Sequence, residues 1–206
     1  MIAIADYGIG NLGSVTKGFR HAGAEVVLTG DPEALRAADA IVLPGDGAFA
    51  ATMEELTTRG LVPVLREAVA EGRPLLGICI GMQLLFEESE EHGRHDGLGL
   101  LPGRVRRFDG GLPVPHMGWN RLRVRQAHPF LDGHADEHVY FVHSYYCDAP
   151  VSVTLATSDY GRDFAAVVGQ GSVLGVQFHP EKSQAVGLRL LRNFVRMLEP
   201  KARRTA

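Results

Sequence analysis

Short apolar runs alternate with amphipathic segments through the first half of the chain, and this order narrows the possible folds more than any other feature. Residues 2–6, 25–29, 40–43 and 75–78 have the length and apolar content of strands, the last of them buried in character. Residues 12–21, 31–38 and 61–70 repeat apolar positions at helical spacing, with Asp31 as an N-cap and Pro63 in a first turn where its missing N–H costs nothing. Strand-then-helix order repeated in this way implies a parallel sheet with helices on both faces.

The second half changes texture. Residues 114–125, 139–147, 153–157, 164–168 and 172–178 read as strands, and Gly169-Gln170-Gly171 joins the last two as a hairpin. A closing helix over 183–198 sets Val186, Leu190, Leu191, Phe194 and Leu198 at helical spacing. The fold class expected is α/β: a mostly parallel central sheet flanked by helices, with additional antiparallel strands in the C-terminal half. No repeat or low-complexity linker divides the 206 residues, which read as one domain with a frayed tail at 201–206.

Composition excludes several function classes. A net charge of −3 supplies no basic face for nucleic acid, and no apolar run approaches membrane-spanning length. The first residues lack the basic start and apolar centre of a signal peptide, so a cytoplasmic protein is expected. In that compartment Cys79 and Cys147 read as reduced thiols.

Cys79 sits in Gly77-Ile78-Cys79-Ile80-Gly81, between an apolar run and a helix-like segment. A Gly-x-Cys-x-Gly corner of this kind resembles a nucleophile elbow, which projects its reactive side chain above a sheet. Free N–H groups at a helix start favour thiolate over thiol, and the Ile80 N–H would face an oxygen on any acyl group carried by the sulfur. A small buried hydrophobe at a strand end is the other reading, and the glycines leave both open.

Amide cleavage by a thiolate needs a proton donor for the leaving amine, which points to a histidine. Of nine histidines, His179 follows the strand 172–178, and Glu181 lies two residues on, facing the same side of extended chain. Glu181 is thus placed to orient the imidazole, against the alternative of a chance His and Glu in a turn. His92, His95, His134 and His138 fall in polar stretches and are expected at the surface. Arg104, Arg106 and Arg107 are expected on a solvated face, and neither metal nor cofactor is expected.

With these residues placed, the chain resembles the class I, triad-type glutamine amidotransferases. The motifs DYGIGNLGSV (6–15), PGDGAF (44–49), GICIGMQLLFEESEE (77–91), PHMGWN (115–120), YFVHSYY (140–146) and QFHPEKSQ (177–184) are similar to those of one branch, the glutaminase subunits of imidazole glycerol phosphate synthases. The resemblance implies that Cys79 attacks the glutamine side-chain amide, His179 protonates departing ammonia and Glu181 orients His179. It assigns Gly45, Gln83, Glu91, Ser144 and Tyr145 to substrate, and the N–H groups near Asp46 and Gly47, with Ile80, to an oxyanion hole. The family more commonly has valine where Asp46 stands. A carboxylate in the hole would repel an oxyanion, so Asp46 is expected to point outward while its backbone serves.

About two hundred residues are consumed by a glutaminase, leaving no room for a domain that uses the ammonia, so an acceptor site is expected on another chain. The resemblance identifies that chain as a (β/α)8-barrel cyclase subunit, which makes imidazole glycerol phosphate and an aminoimidazole ribotide in histidine biosynthesis. It also implies that the isolated subunit is a poor glutaminase until its partner binds ligand. Asn11, Met117, Trp119, Tyr140 and Lys182 lie in motifs that face the partner, although Trp119 equally suits a core. Rival readings are a glutaminase serving anthranilate or pyridoxal phosphate synthesis, a general thiol hydrolase, and a non-catalytic scaffold.

Overall fold

In the computed structural model, which describes residues 1–109, 111–134 and 136–199, the four apolar runs of the first half form parallel strands. They are β1 (Ile2–Ala5), β2 (Val26–Thr29), β3 (Ala40–Leu43) and β4 (Leu75–Ile78). The tail expected at 201–206 lies outside the described residues. β1, β3 and β4 are buried at every residue, whereas β2, the edge strand, is only partly so.

The helices between these strands are α1 (Leu12–His21), α2 (Pro32–Arg36), α3 (Phe49–Thr58) and α4 (Leu61–Ala70). Asp31 caps α2 by accepting the Glu33 N–H at 3.0 Å. Nothing in the sequence marks the start of α3, because Ala48 at its N-cap has no side-chain oxygen. The helix opening at Ile80, α5 (Ile80–Gln83), lasts one turn. Beyond it the carbonyls of Leu84, Leu85 and Phe86 accept N–H groups from residues 98–101, so the chain leaves the helical path.

Ten further strands follow: β5 (Glu88–Ser89), β6 (His95–Asp96), β7 (Arg104–Arg107), β8 (His116–Arg121), β9 (Arg123–Val124), β10 (His138–His143), β11 (Tyr145–Asp148), β12 (Thr154–Asp159), β13 (Asp163–Gln170) and β14 (Val173–Val176). α6 (Gln184–Leu198) closes the described chain. The stretches 114–125 and 139–147 are therefore not continuous strands. Each breaks at one residue, Leu122 and Ser144, where the chain changes sheets: β8 pairs with β10 but β9 with β12, and β10 pairs with β8 but β11 with β7.

The central sheet has the order β2-β1-β3-β4-β14-β13-β12-β9, parallel from β2 to β14 and antiparallel beyond. α1 packs on α6, with Phe19 and Phe194 edge to face at 6.0 Å, while α4 packs on α2 and α3. The sheet order reverses direction after β2, so right-handed crossovers put these two groups on opposite faces. A four-stranded sheet, β11-β7-β5-β6, and the β8–β10 ribbon stand beside the central layer. Among the described residues no helix is long and apolar enough to cross a membrane.

Candidate active site

Because β3, β4 and β14 are adjacent and parallel, their carboxyl ends open side by side, where open α/β sheets bind ligands. The chain leaving them carries 44–47, Cys79 and 177–181 respectively. Cys79 takes φ 55° and ψ −112°, an unusual conformation for a residue with a side chain, and its N–H donates to Val176 O at 2.8 Å. The flanking glycines make this corner possible: a Cβ on Gly81 would stand 1.8 Å from Leu43 O, and one on Gly77 2.4 Å from Gly81 O.

The Cys79 sulfur lies in the crevice, 3.9 Å from both Val142 O and Gln177 Nε2. His179 is buried beside it, with Nδ1 2.8 Å from Glu181 Oε1. Burial by itself would lower the His179 pKa, but the Cys79 sulfur and the Glu181 carboxylate outweigh it and push the pKa up to about 10. Ser183, fully buried, fixes this segment: its hydroxyl donates to His179 O at 2.7 Å and accepts the Tyr140 N–H at 3.0 Å. The structure thus gathers Cys79 with His179 and Glu181, which follow another strand about 100 positions further along the sequence.

The turn after β3 is held at both ends. The buried Tyr7 hydroxyl donates to Pro44 O, and burial, with the charges of Cys79 and Asp46 adding, keeps Tyr7 protonated by pushing its pKa up. At the far end Glu91 Oε2 accepts the Phe49 N–H at 2.6 Å. Gly45 packs on the backbone of Ile80 and Gly81. Asp46 is exposed, but its carboxylate folds back to accept the Gly47 N–H at 2.9 Å, one of the groups that the family resemblance assigns to the oxyanion.

A cavity of about 250 Å³ opens on the sulfur, lined among others by Asp46, Gly47, Cys79, Gln83, Glu91 and Ser144–Tyr145. Gln83 Nε2 donates to Tyr145 O and to Gln177 Oε1, both at 3.1 Å, and leaves Gln83 Oε1 buried without a partner. Sequence reasoning missed Tyr7, Gln177 and Ser183. Each lies inside a quoted motif but acts by burial and geometry, which residue type alone does not signal. A larger cavity, about 500 Å³, lies around Tyr146, Cys147 and Arg162 and contains neither Cys79 nor His179.

The β8–β10 ribbon sorts the proposed docking residues by alternation. His116, Val139, Phe141 and His143 face inward, while Met117, Trp119 and Tyr140 face the other side, with Met117 62% and Trp119 47% exposed. Trp119 is therefore a surface residue, edge to face with Tyr140 at 6.1 Å. Asn11, the N-cap of α1, and Lys182 are exposed too.

His92 and His138 are exposed and His95 half-buried, but His134 departs from the expected surface position. It is buried, with Nδ1 2.5 Å from Glu137 Oε2, although its neighbours Asp132 and Gly133 are exposed. Arg104 and Arg107 are exposed, and Arg106 lies 3.5 Å from Asp148. Cys147 is a buried strand residue whose thiol pKa is pushed up by burial, then by Cys79.

Residues 3–198 match the family described as "Glutamine amidotransferase class-I". The chain belongs to that family. This class-I glutamine amidotransferase is 53% identical over 204 residues to "Imidazole glycerol phosphate synthase subunit HisH" of Syntrophotalea carbinolica, covering 94% of this chain and 98% of the relative. It is 55% identical over 202 residues to the protein of that name from Geobacillus kaustophilus, with 95% and 96% covered. Among solved structures, the amidotransferase superimposes on a "Crystal structure of glutamine amidotransferase" with a TM-score of 0.76 at 23% identity, over 96% of this chain and 98% of the other. It matches the "Structure of PurLQS from Thermotoga maritima" with the same TM-score at 17% identity and the same coverage. These structural likenesses concern the fold.

Proposed function

We propose that this chain is the glutaminase subunit of an imidazole glycerol phosphate synthase, a single cytoplasmic domain that hydrolyses glutamine and passes the ammonia to a (β/α)8-barrel cyclase subunit in histidine biosynthesis. The identity to relatives of that name supports the pathway. The observation that carries the chemistry is the approach of a buried imidazole, paired with a buried carboxylate, to a sulfur on a strained corner.

In this reading the Cys79 sulfur attacks the carboxamide carbon of glutamine. The oxyanion that forms is met by N–H groups of Ile80 and of the turn at Asp46 and Gly47, and Gly45 faces the substrate. His179, oriented by Glu181, gives a proton to the departing nitrogen, leaving a thioester on Cys79. It then takes a proton from water as the water attacks that thioester, releasing glutamate and restoring the thiol. Gln83, Glu91, Ser144 and Tyr145 hold the substrate in the cavity. Ammonia leaves toward the face bearing Asn11, Met117, Trp119, Tyr140 and Lys182, over which the cyclase docks.

A paired assay tests this. Glutamate release is measured with and without the barrel subunit and its nucleotide ligand, and again with Cys79→Ala. Release that rises with the partner and vanishes in the variant is expected. Brisk hydrolysis untouched by partner and ligand would refute the coupling, and activity surviving Cys79→Ala would refute the nucleophile.

A further inference from the structure

His116 and His143 face each other across the β8–β10 ribbon on its buried side, and the proposed reaction uses neither. His116 is stacked between Phe141, at 5.1 Å between centroids, and Tyr160, at 4.1 Å, while His143 meets Phe108 edge to face at 5.3 Å. Burial in this aromatic cage lowers the pKa of His116 to about 4 and that of His143 to about 3, so both rings are neutral at physiological pH.

A neutral imidazole has one donor and one acceptor, which fixes the direction of every bond here. His143 Nδ1 lies 2.7 Å from Tyr145 O, a carbonyl that can only accept, so Nδ1 carries the hydrogen and Nε2 accepts. His116 Nδ1, 3.0 Å away, must donate to that Nε2, leaving His116 Nε2 to accept from Asn120 Nδ2 at 3.2 Å. The Asn120 amide is itself fixed: its oxygen accepts the Arg121 N–H at 2.7 Å, and its second hydrogen goes to Asp159 O at 2.6 Å. Every imidazole and amide group in the chain from Asp159 to Tyr145 thereby has a partner and a fixed direction.

We infer that His116 and His143 are positioning residues for the substrate cavity, holding the Tyr145 carbonyl where it locks the Gln83 amide. The inference rests on the function proposed above. Tyr145 O accepts from both His143 and Gln83, and Gln177 Oε1 takes the other Gln83 hydrogen. A flipped Gln83 amide would set its oxygen against these two acceptors. While Tyr145 O stays in place, Gln83 Oε1 remains an unpaired acceptor at the cavity, suited to the N–H groups of a carboxamide or ammonium.

The test uses His143→Leu, which deletes the link, and His143→Asn, whose amide nitrogen stands near the lost Nδ1 and can still donate to Tyr145 O. Kinetics are measured with the synthase partner present. His143→Leu is expected to raise KM for glutamine about tenfold, with kcat within about threefold, as loss of one partner of a buried bond predicts. His143→Asn should return KM to within about threefold of the parent. An unmoved KM in His143→Leu, or a folded His143→Asn as defective as His143→Leu, would overturn the inference. Should the leucine variant not fold, His143→Gln, which reaches His116 but not Tyr145 O, must show the higher KM against His143→Asn. Nitrogen-15 spectra of the intact chain should show Nδ1–H tautomers at both rings between about pH 6 and pH 8, and an Nε2–H on His143 would overturn the inference too. A parent chain that releases no glutamate with its synthase removes the proposed function itself, whereas an active parent with an unmoved KM removes only this role.

Discussion

The carboxylate of Asp46 accepts the N–H of Gly47 at 2.9 Å, so the side chain that follows Gly45 occupies a donor of the turn facing Cys79. The sequence reading expects the carboxylate to point outward while the backbone serves, and the bond adds a consequence. Asp46→Val should free the N–H and raise glutamate release by the isolated chain about three- to tenfold, the range that a hydrogen bond of about 1 kcal/mol allows. Turnover equal to or below the parent's would show that this bond restrains nothing.

Cys79 and Glu181 together hold the His179 proton, with Cys79 the larger of the two influences that raise its pKa. Cys79→Ala should therefore lower the His179 pKa from about 10, as followed by titrating its ring resonances. A titration that does not move in the variant would separate sulfur from ring and weaken the proposed attack.

Glu181→Gln keeps the shape but removes the charge behind the imidazole. Glutamate release should fall by about a hundredfold or more in kcat, with KM for glutamine close to the parent value, because the carboxylate contacts the ring and does not line the cavity. Loss confined to KM would instead place Glu181 on the substrate side.

Opposite shifts at two sites give stability a maximum near neutral pH. His116, His143 and His128 have lowered pKa values, chiefly from burial, so the unfolded chain binds their protons first as pH falls below about 6.5. Their contribution is complete above that pH and is lost as pH falls, toward about 4 for His116 and about 3 for His143. His179 is raised, so its contribution is complete below about 6.5 and is lost as pH rises toward 10. Urea denaturation across this range should show both limbs, the acid limb shallower in His143→Leu and the alkaline limb shallower in Cys79→Ala. Identical profiles in parent and variants would contradict these assignments.

Lys182 lies exposed one residue beyond Glu181, at the rim of the proposed docking face. Lys182→Glu should weaken association with the cyclase subunit about tenfold or more by titration calorimetry while leaving the melting temperature unchanged, as expected for one exposed interface charge. Unchanged assembly would remove Lys182 from the interface.

Much of the parallel half was legible because its signals are local. A strand buried on both faces must be apolar throughout, and β3 and β4 match the runs 40–43 and 75–78 residue for residue. α3 escaped notice for want of a capping side chain, and α5 stops early because distant N–H groups from 98–101 capture the carbonyls that would continue it. In the same way, Leu122 and Ser144 carry no turn signal, and only strand pairing reveals that the chain changes sheets there. At the candidate site the chemical residues stood out by type, although Glu181 lies in a 3-10 turn, Pro180–Lys182, and not on the extended chain that its spacing implied. Tyr7, His143 and Ser183 did not stand out, since their contribution comes from which carbonyl or N–H they meet, and that depends on tertiary placement.

The packing of Gly81 against the Leu43 carbonyl separates two kinds of inheritance in this chain. Position 79 lines a cavity, so a duplicated gene could shed the proposed chemistry in one step and keep its architecture and the proposed docking face. Position 81 has no such latitude. Descendants that have lost the sulfur yet kept both glycines would then be silent subunits that still occupy a partner, and one reverse substitution would reawaken them.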